Sequence, residues 1–150
     1  DWDRVMAVNV RSAFLTMRSV LPSMAERGHG AIVNIASVAA LRGSRNLTAY
    51  ATSKHALLGL TRSAVAEFAS RGVRVNAVCP GPIDTPLQQR AEHAAADPTR
   101  FRGDQESAIP QGRYGAVAEV ADVVLFLLSD AASYVNGATV TVDGGMTATM

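Results

Sequence analysis

The sequence has a single cysteine and no long apolar run, and each shortage excludes a class of protein. Cys79 has no partner for an internal disulfide, which favours a reducing cytoplasm over secretion. The longest apolar run, residues 123–128, is far shorter than the roughly 20 residues that a transmembrane helix requires. The first residues lack the charged and then apolar pattern of a signal peptide. We therefore expect a cytoplasmic protein that does not act in a membrane.

An excess of charge of either sign is also absent. The 150 residues carry 14 basic and 13 acidic side chains, a formal net charge of +1. A near-neutral chain is not attracted to phosphate backbones, so nucleic acid is not an expected partner. The 48% of apolar residues exclude disorder, and the length suits one domain. Because the three histidines and the cysteine share no metal-ligand spacing, we predict no metal site.

Helix-period and strand-like segments alternate along the chain. Apolar residues at helical spacing predict a helix over residues 1–27, in which Pro22 introduces a kink or begins the last turn. A β-branched run predicts a strand over residues 31–36 that is buried on both faces. The elements predicted after it are a helix over 49–71, a strand over 73–78, a polar irregular segment over 87–113 that is helical near 90–96, a helix over 116–129 and a strand over 138–142.

This alternation predicts an α/β fold, a partial doubly wound parallel sheet of three strands with three main helices and right-handed crossovers. Such a sheet is thin, and its first strand has an unpaired edge, whereas parallel strands are normally covered on both sides. We therefore predict that residues 1–150 are the C-terminal part of a larger doubly wound domain.

Tyr50 and Lys54, the only lysine in the chain, lie four residues apart and hence on one face of the predicted helix. Lowering a phenol pKa from about 10 to about 7 requires about 4 kcal/mol of phenolate stabilisation. One ammonium group about 4 Å away supplies on the order of 4 kcal/mol at an effective dielectric constant of about 20. The pair alone is a weak signal, because this spacing arises often by chance.

Other polar groups follow the predicted strands at their carboxyl ends, where open α/β sheets bind ligands. Ser37 follows the first strand, and a Pro-Gly-Pro turn with Thr85 follows the second. Gly81 would let the backbone approach a flat ligand, and the threonine offers a hydroxyl. Structural interpretations remain open, with Ser37 as a loop cap and Asn9 as a helix-face asparagine bonded to nearby backbone.

Together these segments resemble the short-chain dehydrogenase/reductase (SDR) family. The matching segments are residues 9–12, 32–37, 50–54, 73–81, Ile83 with Thr85, and 142–145. The resemblance implies a catalytic tetrad of Asn9, Ser37, Tyr50 and Lys54. It also implies a nicotinamide cofactor, NAD or NADP, held in part by Tyr50, Lys54, Pro80, Gly81, Ile83 and Thr85.

In that family the tyrosine exchanges a proton with the substrate oxygen, and the serine hydrogen-bonds that oxygen. The lysine lowers the tyrosine pKa and holds the nicotinamide ribose, and the asparagine holds a water molecule of a proton relay. The resemblance therefore implies an NAD(P)-dependent oxidoreductase acting on an alcohol/carbonyl pair. Within that family, the chain would be the C-terminal catalytic part of a single Rossmann-type domain.

The chain departs from the family in lacking its glycine-rich pyrophosphate turn and the residues that select NAD or NADP. Two alternatives therefore stay open, a non-catalytic fragment or oligomerisation module unable to bind cofactor alone, and a dehydratase or epimerase with the same tetrad. Residues 88–112 correspond to the substrate lid, and the sequence does not name the substrate. Because the equivalent helices pair between subunits in the family, we expect a homodimer or homotetramer through residues 1–27 and 49–71.

Overall fold

A computed structural model describes residues 1–149, which form a three-stranded parallel sheet in the order β1-β2-β3 with flanking helices. The strands are Gly30–Ile35 (β1), Val73–Pro80 (β2) and Thr139–Val142 (β3). The helices are Trp2–Met6 (α1), Ser12–Glu26 (α2), Thr48–Phe68 (α3), Pro86–His93 (α4), Pro98–Ser107 (α5) and Val117–Leu128 (α6). The predicted α/β class and parallel sheet are confirmed.

The two faces of β2 pack against different helices. Val73 and Val75 are fully buried in a cluster with residues of α2 and α3. Arg74 points to the opposite face, where its guanidinium donates to the carbonyl oxygens of Leu127 (2.7 Å) and Ser129 (3.0 Å) at the end of α6. Because side chains alternate along a strand, this single strand joins both helix layers.

Two asparagines hold the segment before β3 against β2. The Asn136 side chain accepts from the Val75 backbone N–H (2.9 Å) and donates to the Val73 carbonyl (3.2 Å). In return, the Asn76 side chain donates to the Val135 carbonyl and accepts from the Ala138 N–H, both at 2.9 Å. These side chains replace main-chain pairing and so set the register at which β3 begins.

The helical prediction for residues 1–27 is confirmed, with one local change. Between α1 and α2 the residues Ala7–Arg11 form a π-helical turn. Pro22 begins the last turn of α2, and Gly28 follows the helix in a left-handed conformation with φ of 66°. Such π-turns are frequent at functional sites.

Three predictions about individual elements were wrong in detail. The first strand is not buried on both faces, because only Asn34 of its residues is buried and the Ile35 side chain is 45% exposed. Residues 87–113 are more helical than predicted, since they contain most of α4 and all of α5. The second strand runs on to Pro80, whose missing N–H falls on the side where β1 has already ended.

Candidate functional site

Tyr50 and Lys54 share one face of α3 near the carboxyl end of β1. The Lys54 ammonium donates to the Ile35 carbonyl oxygen at 2.9 Å and lies 5.6 Å from the centroid of the Tyr50 ring. Burial of Lys54 lowers its pKa, and the interaction with Cys79 partly opposes this shift. The main-chain bond anchors the single ammonium group of the chain beside the phenol.

Ser37 follows β1 and caps the short 3₁₀ turn Val38–Ala40. Its hydroxyl oxygen accepts from the Ala39 backbone N–H at 3.1 Å, so the hydroxyl hydrogen stays free to donate to another group. The structural interpretation of Ser37 as a cap is therefore correct, and it is compatible with a role towards a ligand.

Cys79 lies near the end of β2, between the segment that carries Ser37 and the helix that carries Lys54. The thiol is fully buried near the end of β2, and burial raises its pKa, while a hydrogen bond from the Ser37 backbone and the Lys54 charge act in the opposite direction. Cys79 packs against Ala36, directly before Ser37, and against Leu57 and Leu58, one turn after Lys54, so the end of β2 lies between the two segments that carry these predicted catalytic residues.

Asn9 lies in the π-helical turn and reaches α3 between Tyr50 and Lys54. Its side-chain nitrogen donates to the Ser53 hydroxyl at 3.0 Å, rather than to nearby backbone as the structural interpretation proposed. Ser53 is fully buried and was not among the predicted site residues. The signal for it was a hydroxyl directly before the only lysine, in a helix rich in alanine.

The predicted cofactor-binding residues after β2 each have a structural partner. Gly81 donates to the Val142 carbonyl at 3.0 Å, and a Cβ atom on this glycine would lie 2.9 Å from the Cβ of Asp143. Ile83 forms a bridge with Gly115. The lack of room for a side chain at Gly81 is thus explained by the close approach of Asp143, directly after β3, without any ligand.

Pro80 and Thr85 delimit the same segment. Pro80 is the last residue of β2, and the Thr85 hydroxyl caps α4 by accepting from the Gln88 N–H at 3.2 Å. This cap still leaves the threonine hydrogen available as a donor. The segment between β2 and α4 is therefore fixed at both ends. It lies at the carboxyl edge of the sheet, where Ser37 follows β1.

A cavity of about 430 Å³ is lined in part by Pro82, Asp143 and the ion pair of Arg113 with Glu119. The guanidinium donates to Glu119 at 2.7 Å and is the main cause that lowers the pKa of this carboxyl to about 2. No residue of the predicted tetrad lines this cavity. Of the tetrad, Lys54 instead contacts the last residue of β1, the exposed Ile35.

A family model described as enoyl-(acyl carrier protein) reductase matches residues 1–147. The chain belongs to the short-chain dehydrogenase/reductase family. It is 49% identical over 148 residues to 2-(R)-hydroxypropyl-CoM dehydrogenase of Xanthobacter autotrophicus, and the match covers 99% of this chain and 58% of that protein.

Solved structures of SDR relatives share the fold closely. The crystal structure of levodione reductase superposes with a TM-score of 0.96 at 41% identity, over 100% of this chain and 59% of that one. A gluconate 5-dehydrogenase from Burkholderia cenocepacia, in complex with NADP and tartrate, gives 0.92 at 36% identity, over 99% and 56% of the two chains. The chain thus spans somewhat more than half the length of the SDR proteins it matches.

Residues 1–149 contain neither a membrane-spanning helix nor a metal-ligand cluster. No helix among them has the length and apolar character needed to cross a bilayer. In the same range, no three His, Cys, Asp or Glu side chains are grouped so that they could hold a metal ion.

Proposed function

We propose that the chain is the catalytic part of a Rossmann-type NAD(P)-dependent oxidoreductase, which transfers hydride between a nicotinamide and an alcohol/carbonyl pair. One observation carries the proposal: the Lys54 ammonium, anchored on the Ile35 carbonyl, lies 5.6 Å from the centroid of the Tyr50 ring. This arrangement sits at the carboxyl edge of a parallel sheet, where folds of this type bind their ligands.

In the proposed mechanism Tyr50 protonates the substrate oxygen during reduction and accepts the hydroxyl proton during oxidation. The positive charge of Lys54 lies close to the Tyr50 ring and favours the negative charge that develops on Tyr50 while it gives up its proton. Ser37 uses its free hydroxyl hydrogen to hold the substrate oxygen near the phenol. Asn9 contributes a polar group next to the turn of α3 that carries Tyr50 and Lys54, where the family places a relay water.

The residues present fit one half of a nicotinamide cofactor. An ammonium and a phenol suit the hydroxyls of the nicotinamide ribose, and Pro80, Gly81, Ile83 and Thr85 lie at the neighbouring strand end. When bound, the cofactor supplies or accepts the hydride. The chain has no glycine-rich turn for the pyrophosphate. The sites for the remaining half are therefore outside these residues, and the choice between NAD and NADP stays open.

Replacing Lys54 by methionine is expected to weaken cofactor binding at least about tenfold, the loss of one charged hydrogen bond. Nicotinamide fluorescence titrated with the intact protein measures this affinity for NADH and NADPH. Arg62→Met is the matched control, because Arg62 is an exposed cation on the same helix, two turns further on. Equal affinity of both variants, or no binding of either cofactor to the intact protein, would contradict the proposal.

The alternatives are less well supported. A non-catalytic oligomerisation module is not favoured, because the relatives named above are dehydrogenases and a reductase. No observation in the structure favours a dehydratase or epimerase. We also propose a reducing, cytoplasmic location, which the single, buried and unpaired Cys79 supports.

We further propose that the protein is a homodimer or homotetramer through the helices at 1–27 and 49–71. Between α2 and α3 lies an apolar groove of about 220 Å³, lined among others by Phe14, Leu60 and Phe68. Phe14 is 45% exposed, and Arg18 and Glu67 flank the groove with opposite charges. In a two-fold contact each charge can meet the opposite charge of the second copy.

Replacing Phe14 by glutamate is expected to dissociate the oligomer, because a buried unpaired carboxylate opposes association. Sedimentation velocity at micromolar concentration measures the change in mass. Leu87→Glu serves as the control, since Leu87 is 70% exposed on α4, away from the groove. A wild-type protein that sediments as a folded monomer would overturn the proposed assembly.

A further inference from the structure

A directed chain of hydrogen bonds connects the π-helical turn to the helix that carries Tyr50 and Lys54. The Asn9 amide nitrogen donates to the Ser53 hydroxyl at 3.0 Å, and this hydroxyl donates to the Tyr50 carbonyl oxygen at 2.6 Å. Ser53 is completely buried, so water does not compete for these bonds. These two hydrogen bonds therefore link the Asn9 side chain to the Tyr50 main chain through one side chain, that of Ser53.

The order of donors in this chain determines how the Asn9 amide is turned. A serine hydroxyl has one hydrogen, and in Ser53 that hydrogen is used on the Tyr50 carbonyl. Towards Asn9 the hydroxyl acts only as an acceptor, so the group that faces it must be the amide nitrogen. The amide oxygen of Asn9 is then directed away from Ser53 and keeps its capacity to accept.

We propose that Ser53 is a positioning residue, which fixes the orientation of the Asn9 amide and holds the π-helical turn against the Tyr50–Lys54 turn of α3. This inference rests on the proposed function, because positioning has a catalytic effect only if Asn9 and Tyr50 serve the reaction. Ser53 itself touches neither substrate nor cofactor in this role.

A second pair of hydrogen bonds of the same type involves α3 and provides an internal control. The Asn34 amide nitrogen donates to the Thr61 hydroxyl at 2.9 Å, and Thr61 donates to the Leu57 carbonyl at 2.8 Å. Thr61 is 1% exposed and lies two turns beyond Ser53, away from Lys54. Both pairs of hydrogen bonds join an asparagine to α3 through a buried hydroxyl. Only the pair through Ser53 ends at a predicted site residue, Tyr50.

The test compares Ser53→Ala with Thr61→Val, each of which removes one buried hydroxyl. In the intact protein, Ser53→Ala is expected to lower kcat about tenfold, the equivalent of one hydrogen bond, with KM changed less than about twofold. Thr61→Val is expected to lower stability to a similar extent and to leave kcat within about twofold. Equal losses of kcat in the two variants would show a structural role only and would overturn the proposal.

A second measurement does not depend on activity. The side-chain amide signals of Asn9 in NMR spectra are expected to shift towards free-amide values in Ser53→Ala and to stay unchanged in Thr61→Val. A double-mutant cycle of Ser53→Ala with Asn9→Ala is expected to show a coupling of roughly fivefold in the unfolding constant. Unchanged amide signals or additive effects would overturn the proposal, even if the enzyme is active.

Asn9→Asp extends the test if Ser53→Ala folds poorly. A carboxylate of nearly the same size cannot donate to Ser53, so this variant is expected to reproduce the loss of kcat. Full activity of Asn9→Asp would contradict the proposed donor order. If Tyr50→Phe keeps full turnover, the proposed function fails, while the NMR and coupling measurements still decide whether Ser53 orients Asn9.

Discussion

Replacing Tyr50 by phenylalanine is expected to lower kcat by on the order of 10²- to 10⁴-fold, the usual contribution of general acid–base catalysis. The ring keeps its place on α3 and its contact with the Lys54 ammonium, which lies 5.6 Å from the ring centroid. Only the phenolic hydroxyl is removed, so stability is expected to change little, and cofactor affinity is expected to fall less than about tenfold, the loss of one hydrogen bond to the ribose. Steady-state rates in both directions, measured on the intact protein with an alcohol and a carbonyl substrate, test this.

Tyr134→Phe is the matched control for this experiment. Tyr134 is fully exposed in the loop before β3 and makes no contact with the predicted tetrad. Its replacement is expected to leave kcat unchanged. Normal turnover of Tyr50→Phe would overturn the proposed mechanism, because no other described residue near Lys54 offers a phenolic proton at this edge of the sheet.

Replacing Gly72 by alanine is expected to destabilise the protein by about 3–5 kcal/mol, among the largest effects of a single substitution. Gly72 adopts φ of 76°, and a Cβ atom there would lie 2.0 Å from the carbonyl oxygen of Gly28. The turn before β1, which contains Gly28, and the turn before β2, which contains Gly72, would have to move apart. Urea unfolding followed by circular dichroism measures the change in midpoint at constant slope.

Gly59→Ala is the control for the alanine substitution itself. Gly59 lies inside α3, and a Cβ atom added there would meet no other atom within 4 Å. Alanine is therefore expected to stabilise the protein by about 0.5–1 kcal/mol through its helix propensity. The two variants thus change stability in opposite directions. A midpoint for Gly72→Ala equal to that of the wild type would show that the Gly28–Gly72 contact is not important for the fold.

Periodicity alone predicted the part of the site that lies within one element. Tyr50 and Lys54 are four residues apart on a helix, so their proximity follows from helix geometry. Ser37 was predicted from its position after a strand, because the carboxyl ends of parallel strands share one edge. Asn9 stood out as a polar residue between Val8 and Val10 on an apolar helix, but its catalytic role was predicted only from the family resemblance, and nothing in its segment indicated that the helix widens there into a π-turn.

The missed features depend on capping and on long-range contacts. The pairs Thr85-Pro86 and Asp97-Pro98 start α4 and α5 by side-chain capping with proline at the first turn, a local signal that the polarity of the segment obscured. Ser53 gave a weaker local signal, a hydroxyl directly before the only lysine. Its importance depends on Asn9, which lies 44 positions earlier in the chain.

The order of amino acids by itself determined the α/β class, the main helices, the parallel sheet and the proximity of Tyr50 to Lys54. The helices and the Tyr50–Lys54 pair depend on contacts repeated over a few residues, and the parallel sheet follows from the helices that separate successive strands. Only the tertiary structure decided that Lys54 is anchored on the Ile35 carbonyl, that Asn9 donates a hydrogen bond to Ser53, and that Gly72 has no room for a side chain. These contacts join segments far apart in the chain, and they form only when the helices pack on the sheet.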